Sequence, residues 1–405
     1  MGMAQATFSC RCAAIHLVLA CTDDWIFDDF HEWWCAALEA HERVVNMSKT
    51  DIKSLPYNDL EQWVVENGEK KYRAGQLYQW MHQKMADDPD AMSNIPGSLK
   101  TKIREDCTFT VLRQAACQVS SQDGTRKYLF QLADGHMVES VLMRYKHGNS
   151  VCISSQVGCR MGCSFCASTL DGLVRNLTPA EMLDQVYRIS VDIGERVSNV
   201  VVMGTGEPLD NYENLLIFIH MLTDENGLNI SQRNITVSTC GLVPKMRELA
   251  KEKLQITLAL SLHASTQEKR ERLMPVARAY DIHELIDVCR FYFEETGRRI
   301  TFEYSLMAGI NDTDEDAAEL AALIGNLNCH INLIPVNPIK ERNYRQPERR
   351  AVLDFKNLLE KYQKTVTIRK EMGRDIDGAC DQLRRSYAEE DVLLRAFPER
   401  RDSQR

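Results

Sequence analysis

The chain has 405 residues and a formal net charge of −9, which excludes a protein that coats nucleic acid by bulk attraction but leaves room for local basic clusters. Its 44% hydrophobic and 26% charged residues exclude a disordered or fibrous protein, and no apolar run is long enough to cross a membrane. Its 14 cysteines follow no repeating spacing, which favours reduced thiols in the cytoplasm over a secreted disulfide scaffold.

The first 46 residues differ in composition from the rest of the chain. They carry seven acidic residues against Arg11 and Arg43, so much of the net negative charge lies here. Their apolar residues follow no extended period, whereas Met47 begins a segment typical of a protein start. The stretch 13–20 faintly resembles a lipoprotein signal, but His16 interrupts it. We therefore interpret 1–46 as an atypical N-terminal extension and expect it to be poorly ordered.

Residues 47–105 are predicted to form a small helical accessory domain. Apolar side chains recur at helical spacing on two segments, with Gly68 between them. The apolar positions are Leu60, Trp63 and Val64 on the first segment and Leu77, Trp80, Met81 and Met85 on the second. Residues 106–148 then change to the alternation of β-strands. Segments 128–132 and 137–143 flank Asp134-Gly135, a dipeptide typical of tight hairpin turns, so we predict a β-hairpin linker region here.

From residue 149 to residue 390, apolar strand-like runs alternate with amphipathic stretches, the pattern of parallel strands joined by crossover helices. The predicted strands are 151–154, 199–203, 234–238, 255–262, 300–306 and 330–335, with 366–369 as a further candidate. Thr178, Pro179 and Glu181 predict a capping box at the start of the first helix. These units predict an α/β fold, a partial and open (β/α)6 barrel. A polar C-terminal tail follows over 391–405.

Three cysteines are spaced C-x3-C-x2-C in the segment SSQVGCRMGCSFCAS, after the first predicted parallel strand. They are Cys159, Cys163 and Cys166, and no fourth ligand follows at matching spacing. A cubane iron–sulfur cluster takes four ligands, so three thiolates leave one iron open to a small molecule. A zinc knuckle is the alternative, but structural zinc is closed by four Cys or His ligands. The spacing therefore favours a [4Fe–4S] cluster with one open iron.

Polar or glycine-rich turns also follow the later predicted strands. Each alone is an ordinary turn, but chemistry in α/β folds gathers at the carboxyl ends of parallel strands. The turns are GTGEP at 204–208, STCG at 238–241, SLH at 261–263 and PVNP at 335–338. Their placement at successive strand ends predicts one pocket beside the cysteine triplet.

Six motifs occur in an order that closely resembles one family. They are SSQVGCRMGCSFCAS, VVMGTGEPLDNY, ITVSTCG, SLHAS, NLIPVNP and GRDIDGACDQLR. Over residues 47–387, the chain resembles the RlmN family of radical S-adenosylmethionine RNA methyltransferases, which modify carbon 2 of adenine. The resemblance implies a barrel of the radical SAM type and RNA binding by the helical domain. One departure is Cys240, where a serine is expected.

The resemblance also implies the cofactors and their ligands. Cys159, Cys163 and Cys166 would bind a [4Fe–4S] cluster, whose open iron chelates S-adenosylmethionine and, once reduced, cleaves it to a 5′-deoxyadenosyl radical. Two molecules of S-adenosylmethionine would be used in each turnover. The residues implied to hold this cofactor are Gly206, Glu207, Ser238, Ser261, Leu262, His263 and Asn337.

Three more residues receive catalytic roles from the resemblance. Cys380 would be methylated, and the radical from a second S-adenosylmethionine would take hydrogen from that methyl group before it adds to adenine. Cys152 would resolve the protein–RNA crosslink and leave a Cys152–Cys380 disulfide, and Glu139 would accept a proton. The residues alone leave open an inert buried cysteine at 380 and an exposed strand glutamate at 139.

The expected reaction is methylation of carbon 2 of an adenosine in the peptidyl-transferase centre of 23S ribosomal RNA and of the adenosine beside the tRNA anticodon. Adenine carbon 2 is not nucleophilic, which is why a carbon radical is required. One alternative is carbon 8 methylation of the same rRNA base by the related Cfr enzymes, which confer antibiotic resistance. A remote alternative is a non-catalytic, metal-stabilised RNA-binding protein. We expect a cytoplasmic monomer without membrane association, reduced by an electron donor such as flavodoxin.

Overall fold

The computed structural model describes residues 49–339, 341–376 and 382–387. The chain divides into two units, Met1–Thr50 and Asp51–Arg405. The predicted extension at 1–46 and the predicted tail at 391–405 lie outside the described residues. None of the helices in the described ranges is both long and apolar enough to cross a membrane.

The N-terminal part of the second unit is helical, as the apolar periodicity predicts. Its helices are α1 (Tyr57–Glu66), α2 (Tyr72–Tyr78), which continues into a π-helical turn at Gln79–Gln83, and α3 (Gly97–Asp106). The short strands β1 (Thr50–Asp51) and β2 (Cys107–Thr108) flank these helices in sequence. Leu60, Val64, Leu77 and Met81 are fully buried, which confirms the predicted apolar faces of both segments.

The described part of the second unit contains a ten-stranded sheet. Its strands are β3 (Arg113–Val119), β4 (Arg126–Gln131), β5 (Met137–Tyr145), β6 (Gly148–Ile153), β9 (Val197–Val202), β10 (Ile235–Thr239), β11 (Thr257–Ser261), β12 (Ile300–Leu306), β13 (Cys329–Pro335) and β14 (Val366–Ile368). Two further strands, β7 (Gln156–Gly158) and β8 (Leu173–Asn176), lie between β6 and β9 in the sequence and form a separate pair. Strands β6 and β9 to β14 pair in parallel and in chain order. The six predicted strands and the further candidate are therefore confirmed.

The antiparallel strands β3, β4 and β5 extend this sheet beyond β6. The hairpin predicted at Asp134-Gly135 is the turn between β4 and β5, and β5 pairs in turn with β6. That second pairing was not predicted, because nothing in the local pattern indicates which strand the hairpin joins. Strands β3 and β14 are the two edges of the described sheet, in agreement with the open, partial barrel expected for the parallel part.

Crossover helices join the parallel strands. They are α4 (Pro179–Ile193), α5 (Tyr212–Thr223), α6 (Val243–Lys251), α7 (Gln267–Leu273), α8 (Ile282–Thr296), α9 (Asp314–Ile324) and α10 (Arg349–Lys361). The predicted capping box is confirmed at α4. The Glu181 amide donates to Thr178 Oγ1 at 3.2 Å, and the Thr178 amide donates to Glu181 Oε2 at 2.9 Å.

Buried polar groups fasten the helical N-terminal part to α4. The Lys53 ammonium donates to Asp184 Oδ1 and the Leu112 amide donates to Asp184 Oδ2, each at 2.7 Å. His82 Nδ1 and the Tyr187 hydroxyl lie 2.9 Å apart. These side chains have almost no exposed surface, so each polar group needs its partner inside the fold. The junction therefore fixes the helical part on the sheet that carries the site.

Candidate active site

The cysteine loop and the turns after three parallel strands line one cavity at the carboxyl edge of the sheet. The turns follow β9, β10 and β11, which are neighbours in the sheet order. The predicted residues that line the cavity are Cys159, Cys163, Cys166, Gly206, Glu207, Ser238, Ser261 and His263. The pocket that the strand-end motifs predict is thus present beside the cysteine triplet.

Backbone contacts hold the cysteine loop in place. The Cys159 amide donates to the Gly172 carbonyl at 2.8 Å, and the Ser164 amide donates to the Leu273 carbonyl at 2.9 Å. Gly158 has a φ of +74°, and a Cβ there would collide with the Gly172 carbonyl oxygen, so only glycine fits. The loop therefore presents its thiols from a fixed backbone.

The buried environment of the cysteine loop is typical of thiols that bind a metal cluster. Burial raises the pKa of Cys159 to about 12 and also raises the pKa of Cys163, so neither forms a thiolate readily without a nearby cation. Bound iron supplies that positive charge. Within the described ranges, no three His, Cys, Asp or Glu side chains are grouped to hold one metal ion. A cubane needs no such group, because each of its cysteine ligands binds a different iron. The donor set therefore fits an iron–sulfur cluster.

Glu207 ties the turn after β9 to the turn after β10. Its Oε2 accepts from the Cys240 amide at 2.7 Å, and its Oε1 accepts from the Leu209 amide at 3.0 Å. Burial raises the pKa of this carboxyl, and the hydrogen bonds that it accepts oppose that rise. The Glu207 amide in turn donates to Gln156 Oε1 at 2.8 Å. The carboxyl group is therefore held in one orientation at the cavity wall.

His263 is a buried, neutral hydrogen-bond donor. Its Nδ1 accepts from the Ser305 amide at 2.9 Å, so the ring proton is on Nε2. Burial lowers the pKa of His263 to about 3, and the nearby Arg270 guanidinium contributes to the shift. The ring packs edge-on against Phe165, with centroids 5.0 Å apart. A φ of +57° turns the backbone after β11 and brings this ring to the cavity.

Two of the other predicted S-adenosylmethionine ligands lie at the cavity and two do not. Ser238 Oγ and Ser261 Oγ lie 3.5 Å apart, at the ends of neighbouring strands β10 and β11. The Leu262 side chain is fully buried in the main apolar core, and Asn337 is exposed in the segment after β13. Neither is among the residues that line the cavity, so the structure does not bring these two side chains to the others.

Glu139 and Cys152 lie on the same face of the sheet. Val141 of β5 is paired with Cys152 of β6, and Glu139, two residues before Val141, points to the same side. Glu139 is buried, and its Oε2 lies 2.7 Å from the Lys127 ammonium. The structure thus excludes the exposed strand glutamate that the residues alone left open.

Cys380 lies outside the described residues. The described segments on either side of it contact β5 and the turn between β3 and β4. The Gly373 amide donates to Asp123 Oδ2 at 3.0 Å, and the Arg384 amide donates to Glu139 Oε1 at 2.7 Å. The described segment 382–387 is therefore anchored beside Glu139.

The cavity also has lining residues that the sequence analysis did not single out. They include Met161, Phe165, Met203, Thr239, Cys240 and Met274. Most of them belong to the quoted motifs, and Cys240 stood out as a departure from the expected serine. Met274 follows α7, and no local pattern links that helix end to the cysteine loop.

Two family comparisons cover most of the second unit. The chain matches the Radical SAM superfamily over residues 153–324 and the ribosomal RNA large subunit methyltransferase N-terminal domain over residues 50–109.

Individual relatives are similar over a larger share of the chain. The probable dual-specificity RNA methyltransferase RlmN of Lachnospira eligens is 63% identical over 341 residues, which cover 84% of this chain and 97% of that protein. The protein of the same description from Lachnoclostridium phytofermentans is 54% identical over 345 residues, with coverages of 85% and 97%. The crystal structure of a radical SAM methyltransferase from Sphaerobacter thermophilus is 42% identical and has a TM-score of 0.79, covering 82% of this chain and 98% of that one. The chain therefore belongs to the RlmN family of radical S-adenosylmethionine RNA methyltransferases.

Proposed function

We propose that this RNA methyltransferase acts on carbon 2 of adenosine, in the peptidyl-transferase centre of 23S ribosomal RNA and beside the anticodon of tRNA. The observation that supports the S-adenosylmethionine chemistry of this proposal is the cavity that the cysteine triplet shares with Glu207, Ser238, Ser261 and His263. The relatives that are more than half identical to the chain are described as dual-specificity RNA methyltransferases, which supports two classes of RNA target.

Membership of the family implies a [4Fe–4S] cluster and S-adenosylmethionine. We assign Cys159, Cys163 and Cys166 as the cluster ligands. We assign the S-adenosylmethionine site to Gly206, Glu207, Ser238, Ser261 and His263, which line the cavity. Leu262 and Asn337 are assigned to it on the family resemblance alone. When bound, the reduced cluster and S-adenosylmethionine supply the carbon-radical chemistry that adenine carbon 2 requires, with two molecules of S-adenosylmethionine per turnover.

The chain's own groups orient this chemistry. Glu207 presents a carboxyl group that two backbone amides hold in place, and His263 presents an Nε2–H donor that stays neutral. The hydroxyl oxygens of Ser238 and Ser261 lie 3.5 Å apart on the neighbouring strands β10 and β11. Together they offer donors and acceptors for the amino-acid and ribose groups of S-adenosylmethionine.

The proposed covalent steps use two thiols and one carboxylate. Cys380 carries the methyl group, which would lose a hydrogen atom to the 5′-deoxyadenosyl radical. The resulting methylene radical would then add to adenine carbon 2, with the one surplus electron of the adduct returned to the oxidised cluster. Glu139 accepts the proton that leaves that carbon, and the Lys127 ammonium balances its charge. The Cys152 thiolate then attacks the Cys380 sulfur, which forms the disulfide and breaks the bond from that sulfur to carbon. The bonding electron pair stays on the methylene carbon, which takes up a proton and becomes the new methyl group. We also propose a monomer and a flavodoxin-type electron donor.

A deletion strain tests the regiochemistry. Mass spectrometry of its ribosomal and transfer RNA should show loss of 2-methyladenosine, restored by the wild-type gene but not by Cys380→Ala. Unchanged 2-methyladenosine would refute the carbon 2 assignment. Loss of 8-methyladenosine instead, with loss of resistance to ribosome-targeting drugs, would identify the Cfr-type reaction.

A further inference from the structure

Arg270, on α7, is a fully buried cation whose hydrogen-bonding groups are largely unmatched. Its Nη2 donates to the Cys240 carbonyl oxygen at 2.6 Å. Its Nε and Nη1 have no hydrogen-bond partner in the part of the chain that the structure describes. Burying a cation without compensation costs several kcal/mol. The fold therefore holds a positive charge that its own described residues leave uncompensated.

Two other fully buried cations in the described residues do have a carboxylate partner. Lys53 and Lys127 are as deeply buried as Arg270, and each has a carboxylate oxygen within 2.7 Å, on Asp184 and Glu139 respectively. Pairing is how a buried charge normally persists. The contrast indicates that the compensating charge for Arg270 comes from a bound group.

The position of Arg270 shows which group that is. Cys163 and Cys240 pack in one apolar cluster with Leu273 and Met274, the residues that end and follow α7. The Arg270 guanidinium donates to the carbonyl oxygen of Cys240, a residue that lines the cavity together with the cysteine triplet. The end of α7 also contacts the cysteine loop, because the Leu273 carbonyl accepts from the Ser164 amide at 2.9 Å. The guanidinium thus lies directly behind the part of the cavity wall that Cys240 forms beside the cysteine triplet.

We infer that Arg270 is a positioning residue that supplies the countercharge of the iron–sulfur cluster and raises its reduction potential. The inference rests on the proposed cluster ligands. An oxidised cubane core held by three thiolates carries a net charge of about −1, and uptake of one electron makes it about −2. A buried cation stabilises the more negative state more strongly, because screening is weak in the protein interior. Arg270 therefore makes delivery of that electron, by a low-potential donor, more favourable.

The test compares Arg270→Met, Arg270→Gln and Arg270→Lys with the wild-type full-length chain. Each protein is reconstituted anaerobically with ferrous iron and sulfide, and its midpoint potential is measured by dithionite titration followed by electron paramagnetic resonance. We expect the two neutral variants to shift the one-electron reduction equilibrium at least tenfold towards the oxidised cluster, about 59 mV. The lysine variant should stay within threefold of the wild type.

A second measurement separates this role from ordinary packing. Urea unfolding of the cluster-free proteins should show neutral variants at least as stable as the wild type, because they remove an uncompensated charge. Wild-type potentials in the neutral variants would overturn the inference. So would equal shifts in all three variants, or cluster-free neutral variants that unfold more readily than the wild type. If the wild-type chain assembles no cluster, the proposed function fails instead.

Discussion

The Glu139 carboxylate is held from two sides, by the Lys127 ammonium and by the Arg384 amide, each at 2.7 Å. Ionised groups persist in a protein interior only when they are paired and hydrogen-bonded. The ion pair and the hydrogen bond therefore hold the Glu139 carboxylate in position on the face of the sheet that also carries Cys152. Those are the properties that a proton acceptor needs.

Glu139→Gln keeps the shape of this side chain and removes its basicity. We expect the single-turnover rate of RNA methylation to fall by about 10²- to 10⁴-fold, the usual contribution of a positioned base. Rapid-quench assays with mass-spectrometric detection of the methylated base would measure this fall. A rate within about twofold of the wild type would contradict the role of proton acceptor.

The same substitution leaves Lys127 buried without its carboxylate, which can lower stability on its own. The double variant Lys127→Met/Glu139→Gln removes both charges and should recover most of that stability while remaining inactive. Glu225→Gln, on an exposed residue, is the matched control and should leave the rate unchanged. Recovery of methylation in the double variant would show that the defect was only structural.

At the scale of single residues, the sequence indicated which side chains line the cavity better than it indicated their surroundings. The spacing of Cys159, Cys163 and Cys166 was readable because one short loop supplies all three. The burial of Glu139 could not be predicted from the sequence, because it depends on pairing with Lys127 from a neighbouring strand. Arg270 gave no signal, since an arginine in a seven-residue amphipathic helix is typical of a solvated face.

The junction between the helical part and α4 includes a fully buried ion pair, Lys53–Asp184. Lys53→Met leaves the Asp184 carboxylate with the Leu112 amide and with Arg188, whose Nε lies 3.4 Å away. We expect this variant to lose about 3–5 kcal/mol of unfolding free energy, the usual cost of removing one partner of a buried pair. Urea denaturation followed by circular dichroism would measure the loss.

Lys245→Met is the matched control for this prediction. It breaks the half-exposed Lys245–Glu248 pair on α6, which should change the unfolding free energy by less than about 1 kcal/mol. Similar losses in Lys53→Met and Lys245→Met would show that the buried pair has no special role in joining the two parts.

At the scale of elements, parallel strands and helix starts were predictable because their signals are local. The capping box at Thr178 and the strand at 300–306 match the structure closely, since each depends on residues that are adjacent in sequence. The extension of the sheet by β3 to β5 was not predictable. Pairing of β5 with β6 depends on the register across a turn at Lys146-His147, and no residue there specifies which strand is joined.

The stability of the whole molecule should depend on pH through buried neutral histidines. Burial lowers the pKa of His82 to about 3, and the nearby Lys53 ammonium adds to the shift. The unfolded chain therefore binds a proton near its ordinary pKa of about 6.5 that the folded chain does not take up. The contribution of His82 to the unfolding free energy is complete above about pH 6.5 and declines as the pH falls towards 3.

His82→Asn tests this dependence, because its side-chain amide can replace the Nδ1 contact with Tyr187 without titrating. Between pH 7.5 and pH 5.0, the wild type should lose about 2 kcal/mol more unfolding free energy than the variant does. Chemical denaturation of cluster-free protein at the two pH values would measure this. Parallel losses in both proteins would show that His82 does not titrate on unfolding.

The continuity of the sheet from β4 through β6 has a consequence for engineering. Lys127 of β4 and Cys152 of β6 are both paired with Val141 of β5, and Glu139 lies two residues before Val141. The mutual spacing of the three side chains is therefore set by strand register and not by any loop. Changes in loops outside these strands therefore leave the mutual spacing of the three side chains intact. A one-residue insertion between Glu139 and Val141 would instead rotate Glu139 to the opposite face and separate the base from the thiol.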